Sequence, residues 1–182
     1  MDTLITPRLI LRGFTPYDAP ALFEYARNPH VGPNAGWKPH ASLAESQHIV
    51  DLFIREEQVW AITLLDSGRL IGSIGLEQDG THANPAVRAM GYALDEAYWG
   101  FGYATEAARR VLAYAFEVKG LDLVSICHYP FNDRSRRVIE KCGFRYEGTL
   151  RRAVRLYDGR VTDRCMYSIT KEEYKEQRNG KD

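Results

Sequence analysis

Apolar and polar positions alternate from Leu4 to Arg12, interrupted at Pro7, which predicts an opening strand. Thr15 and Pro16 then suit the N-cap and first position of a helix that turns Ala21, Leu22 and Tyr25 inward and ends before Pro29. The stretch 30–39 holds glycine, proline and Trp37 and reads as a loop. Ser42-Leu43-Ala44-Glu45 is a capping box that starts a second helix running to about Glu57. Strand patterning returns at Val59–Leu65 and Leu70–Glu77, joined through Asp66-Ser67-Gly68 as a hairpin, and a turn-rich link leads to a strand at Val87–Leu94. Ala108, Val111, Leu112, Ala115 and Phe116 recur at helical spacing and predict a helix over 105–118, with Gly120 as its cap. Leu123–His128 reads as a buried strand, and Asn132 caps a shorter helix ending at Gly143. Phe144–Tyr157 and Val161–Ile169 form a closing hairpin about Asp158-Gly159. The polar tail 171–182 is expected to fray. The whole predicts one α/β domain over 1–182, with a mixed sheet of about seven strands and about four helices.

Composition narrows the class. At 182 residues the chain suits one substantial core, and 24 basic residues against 24 acidic ones leave no global field for nucleic acid or membrane. Three cysteines at wide spacings, Cys127, Cys142 and Cys165, fit reduced thiols better than a disulfide framework. The opening residues lack a leader pattern and no run is long enough to span a membrane, so a cytoplasmic location is expected. The five histidines show no metal-site spacing, and no metal is expected.

The most informative stretch is Tyr98-Trp99-Gly100-Phe101-Gly102-Tyr103-Ala104-Thr105-Glu106-Ala107, at a strand-to-helix junction. Two glycines let the backbone approach a ligand closely, and the free N–H groups of the helix start face that ligand with the positive end of the helix dipole behind them. That is a phosphate cradle, without the Lys-Ser/Thr ending of a P-loop or the three glycines of a dinucleotide fold.

This stretch, preceded by Gly91-Tyr92-Ala93-Leu94, resembles the core motif of the GNAT superfamily of acyl-CoA N-acyltransferases. Asn132-Asp133-Arg134-Ser135, continuing into Glu140-Lys141-Cys142-Gly143-Phe144, resembles the family's next motif. Thr6-Pro7-Arg8-Leu9-Ile10-Leu11-Arg12 and Tyr167-Ser168-Ile169 are similar to the ribosomal-protein α-amino acetyltransferase branch. The resemblance implies a splay between the strands at 87–94 and 123–128, with acetyl-CoA in the notch. Backbone at Ala93 and Leu94 would pair with the pantetheine arm, and Gly100, Phe101, Gly102, Tyr103, Ala104 and Thr105 would hold the pyrophosphate. Trp99 stands where a basic residue or glutamine usually opens the loop. Asn132 would bond the pantetheine arm and Ser135, one turn later, would protonate the leaving thiolate, with Tyr129 as an alternative donor. A homodimer is a further expectation.

Many relatives carry a glutamate where this chain has Ala89, so the base must come from elsewhere, act through water, or be dispensable. Glu77, His128, Glu96 and Asp163 are the candidates. Trp37 and Tyr92 are expected to line the acceptor side, although Trp37 also suits a plain loop anchor. The implied activity is direct acetyl transfer to a primary amine in a ternary complex, with a protein or peptide α-amino group as the leading acceptor. The alternatives are a small amine (a polyamine, amino sugar or antibiotic) or a non-catalytic acyl-CoA-binding domain.

Overall fold

Eight strands form a single sheet in the order β1-β2-β3-β4-β5-β6-β8-β7, and every neighbouring pair is antiparallel except β5 and β6. In this computed structural model, which describes residues 1–180, the strands are β1 (Leu4–Ile5), β2 (Leu9–Gly13), β3 (Val59–Leu64), β4 (Leu70–Gln78), β5 (Val87–Leu94), β6 (Leu123–His128), β7 (Arg145–Arg155) and β8 (Val161–Thr170). The helices are α1 (Ala19–Ala26), α2 (Gly32–Ala35), α3 (Leu43–Glu56), α4 (Tyr103–Ala113), α5 (Asp133–Lys141) and α6 (Lys171–Asn179). Among the described residues no helix is long and apolar enough to cross a membrane.

Two cores lie on opposite faces of the sheet. On one, α4 presents Ala104, Ala107, Ala108, Val111 and Leu112 to Ile74, Leu76, Met90, Val124 and Ile126. Small residues on the buried stripe let this helix lie close to the strands. On the other, α1 and α3 bury Leu22, Tyr25 and Val50 against Val59, Ala61 and Leu70. The Tyr25 hydroxyl reaches Ser73 Oγ at 3.2 Å, which identifies the face on which Ser73, Gly75 and Glu77 alternate.

Several expectations need correction. The predicted strand over 4–12 is two, because Thr6 Oγ1 accepts the Leu9 N–H across the Pro7 turn; this supplies the eighth strand. The stretch 30–39 contains the short helix α2, closed by Gly36 in the left-handed region. The helix predicted over 105–118 starts two residues earlier, at Tyr103, and runs from Ala113 into a π-type turn over Tyr114–Val118.

The tail expected to fray forms α6 through Asn179. Thr170 and Glu173 make a reciprocal capping box, and Tyr174 lays its ring 5.0 Å from Phe116. Residues 181–182 of that tail lie outside the described residues.

Candidate active site

β5 and β6 pair only at Val87↔Leu123, Arg88↔Val124 and Ala89↔Ser125. Beyond them β5 stays bonded to β4 as far as Leu94 and β6 to β8 as far as His128, so the two strands separate and open a wedge. Gly91 is exposed although it sits in the middle of an eight-stranded sheet, and a Cβ added there would meet nothing within 4 Å. The wedge-facing N–H and C=O groups of β5 beyond Ala89 have no strand partner, which is the arrangement an extended ligand arm completes by adding as a strand.

The glycine loop stands at the mouth of this wedge. Gly100 and Gly102 have φ of 86° and 84°, which only glycine adopts without strain, and Gly102 is the N-cap of α4. The first N–H groups of α4 have no carbonyl within the helix to bond. Two contacts from distant parts of the chain hold the loop. Glu106, in the first turn, accepts the Thr6 hydroxyl at 2.6 Å, the Arg8 N–H at 2.9 Å and Arg8 Nε at 2.7 Å, while Arg8 Nη1 donates to the Phe101 carbonyl at 3.0 Å. These bonds hold the Glu106 carboxyl below the ordinary glutamate range although partial burial opposes them. At the other end Trp99 Nε1 donates to the Leu94 carbonyl, and the Arg134 guanidinium lies 4.8 Å from the Trp99 ring. Arg134, from α5, thus brings to the loop the positive charge that Trp99 itself lacks.

Tyr92 and Ser135 meet across the wedge, with Tyr92 Oη 2.9 Å from Ser135 Oγ. Burial pushes the Tyr92 phenol well above its ordinary value, so it keeps its proton. Asn132 Oδ1 accepts the Ser135 N–H as helix cap, and its Nδ2 donates to the Asn34 carbonyl at 2.9 Å. Asn132 therefore clips the α2 loop to the start of α5.

Trp37 is half-buried beside the Gly32 backbone, where a Cβ would come within 2.5 Å of its ring, and it packs against His40. That geometry is the loop anchor. Tyr129 stands against Gly36, where its hydroxyl would lie 2.3 Å from an added Cβ.

The carboxylate candidates separate clearly. Glu77 pairs with Ala89 across β4 and β5 and shares its face, so its carboxylate projects beside the residue that is glutamate in many relatives. Glu77 is exposed at the end of β4; desolvation, then repulsion from Glu56, raises its pKa. Glu96 is engaged by Asn28 Nδ2 at 2.9 Å and His30 Nδ1 at 2.9 Å, which lower its pKa. Asp163 accepts the Arg152 N–H at 2.7 Å. His128 is buried on the opposite face from Glu77; its Nδ1 lies 2.8 Å from the Tyr129 carbonyl and its Nε2 3.4 Å from the Tyr167 hydroxyl. A carbonyl only accepts, so Nδ1 carries the proton and the remaining nitrogen faces Tyr167.

The splayed parallel pair and the glycine loop at a helix start are the architecture of an acyl-CoA-dependent acyltransferase fold. The chain belongs to the acetyltransferase (GNAT) domain family, which matches residues 8–145. It is an acetyl-CoA-dependent N-acetyltransferase with a single-domain GNAT fold. It is 32% identical over 174 residues to the N-acetyltransferase YoaA of Bacillus subtilis, covering 92% of this chain and 96% of that protein. Among solved structures, a GNAT-family acetyltransferase from Bacillus anthracis superposes with a TM-score of 0.85 at 24% identity, over 94% of this chain and 99% of that one. Mycobacterium smegmatis RimJ, solved in complex with CoA-disulfide, superposes at 0.78 and 24% identity over 94% and 88%.

Proposed function

We propose that the acceptor is the α-amino group of a peptide or protein, and that it attacks the thioester directly with Glu77 as the base. The observation that carries this is the pairing of Glu77 with Ala89, which puts a carboxylate on the acceptor face one strand away from where many relatives keep theirs. Acetyl-CoA supplies the activated acyl group. The fit of its arm rests on the β5 edge that β6 leaves open beyond Ala89, up to Ala93 and Leu94, where Trp99 already takes the Leu94 carbonyl, and that of its pyrophosphate on the α4 N-terminus, with N–H groups from Gly100 through Thr105. Asn132 would hold the wedge wall in place and Trp37 would border the acceptor, whereas Tyr92, expected on the acceptor side, points to the opposite face from Glu77, beside Ser135.

A carboxylate base is far weaker than an alkylamine, so the acceptor's own pKa decides the rate. At pH 7 an α-amine with pKa near 7.8 is about 10–15% neutral, and a lysine-like amine near 10.4 is about 0.04% neutral. That difference is worth roughly 3.5 kcal/mol of barrier. Glu77, with its carboxyl raised, takes the proton of an α-ammonium through a short path or one water. Ser135 would hand a proton to the departing sulfur, and Tyr92, 2.9 Å away and keeping its own proton, would replace it.

The test is CoA release from acetyl-CoA with N-terminal peptides, spermine, free lysine and an aminoglycoside, alongside CoA calorimetry. Peptides should be turned over fastest. Faster turnover of spermine or lysine overturns the α-amino assignment, and CoA binding without turnover on any amine removes the catalytic reading of these residues.

A further inference from the structure

Arg164 of β8 lies two residues from Met166, which pairs with Cys127 of β6. Arg164 therefore shares a sheet face with Cys127 and Ser125 and, through the Ser125↔Ala89 and Ala89↔Glu77 pairings, with Glu77. The helices on this face pack elsewhere: α1 on β4, α3 on β3 and α2 on β5. Over β6 and β8, Cys127 and Met166 are half-buried, and Leu150, opposite Arg164 on β7, is exposed. The open part of the face thus begins at the wedge and runs outward past Arg164.

Among the described residues the Arg164 side chain makes no hydrogen bond or ion pair, and its Nε is shut off from water without a partner. The carboxylates that meet Ser125, Ser168 and Arg152 are committed to those donors. Asp79 accepts the Ser125 and Thr81 hydroxyls and the Thr81 and His82 N–H groups, Asp163 accepts the Arg152 N–H, and Glu147 accepts the Ser168 hydroxyl. The charge of Arg164 still reaches the Cys127 thiol, where it pulls against the burial that raises that group. A guanidinium cannot shed its proton, and the terminal Nη groups of Arg164, which unlike Nε are not shut off and have no partner within the chain, are the donors that an acceptor from outside would meet.

We propose that Arg164 receives a carboxylate of the acceptor, so that the substrate is an amine carrying an acidic group close to it, such as a peptide with an acidic residue following its free N-terminus. This rests on the acceptor reading of the same face. The planar fork of arginine matches a carboxylate with two parallel bonds, and Glu77 on the same face complements the ammonium. Substrate polarity is then read by two opposite charges mounted on one sheet surface.

The experiment measures initial rates with acetyl-CoA and two C-terminally amidated tetrapeptides that differ only in aspartate or asparagine at the second position. Glycine and glycinamide form the corresponding small-molecule pair, with rates expressed per neutral amine because the free carboxylate makes the glycine amine the more basic of the two. Wild type should favour the acidic member by about tenfold or more in kcat/KM. Arg164→Met should erase the preference through KM, leaving the asparagine peptide and CoA affinity within about twofold, and Arg164→Lys should keep part of it. Thermal melts verify that both variants fold. A preference confined to glycine assigns the carboxylate to a small amino acid and supports the Arg164 role. Equal rates within both pairs, or an Arg164→Met loss shared by acidic and neutral members, overturn the proposal while leaving the acetyltransferase intact. No turnover on any of the four, with CoA bound, overturns the acceptor reading and this inference with it.

Discussion

Tyr92, on β5, and Ser135, in the first turn of α5, place their hydroxyl oxygens 2.9 Å apart across the gap between β5 and β6. The two residues are 43 positions apart in sequence, and only the departure of β6 from β5 makes room for the contact. A neutral phenol behind a serine is a proton source that can refill after one donation. Ser135→Ala should lower kcat about a hundredfold with CoA affinity within about threefold, since the hydroxyl acts on the leaving group more than on binding. Steady-state rates with calorimetry on the same sample check this; unchanged turnover removes Ser135 as the donor.

Glu77 yields a prediction in pH. Its raised pKa means that the native state holds the proton more tightly than the unfolded chain. It therefore favours the fold below the unfolded glutamate value, and that contribution is lost as pH rises through the folded value. Glu77→Gln should melt about 1–2 °C higher than wild type at pH 7, with the gap closing towards pH 4. The same substitution should cut kcat/KM by about a hundredfold and flatten its acidic limb.

The Arg8–Glu106 contact has the opposite sign. Glu106 is held below the ordinary range by its donors, so its stabilisation is present above the unfolded glutamate value and fades as pH falls through the folded one. Glu106→Gln should lower stability by about 2 kcal/mol at pH 7, a drop of about 4–8 °C in Tm, and raise KM for acetyl-CoA as the loop loosens. Calorimetric melts at pH 7 and pH 4 test the difference; an equal deficit at both would show that charge is irrelevant to the contact.

Gly102→Ala should cost about 1–2 kcal/mol, because φ is 84° at the cap of α4. The nearest atom to an added Cβ is Arg8 Nη2 at 3.6 Å, so the penalty is conformational and not steric. Weaker CoA binding together with a lower Tm is the expected pair of readouts, and undiminished CoA affinity would detach this glycine from the cradle.

Local patterns exposed much of this fold in the sequence. The N-cap at Ser42, the hairpin residues Ser67 and Gly68, and the apolar runs of β3 and β4 each act over a few residues and recur in the structure, although the Glu45 carboxylate turns to the Ala41 N–H and does not close the capping box on Ser42. The glycine loop was legible for the same reason. Contacts set by tertiary register were not: nothing near Glu77 announces that Ala89 will lie beside it, and nothing near Arg8 points to Glu106, 98 positions away. The helix at 171–179 had a readable signal, Thr170 followed three residues later by Glu173, that a generic expectation of fraying overrode. Arg164 carries no local motif at all; its isolation appears only when every neighbouring carboxylate has been matched with its donor.

Three residue pairs are all that join β5 to β6. Mechanically the sheet is two plates, β1 through β5 and β6 through β8, meeting at a short seam. A ligand strand lodged above that seam would act as a keystone, bearing on both plates at once. Saturation with CoA at a hundred times its Kd should accordingly add about 2.7 kcal/mol of stability. An acceptor reaching the open face afterwards would meet two plates already locked, which makes cofactor first and amine second the natural order of loading.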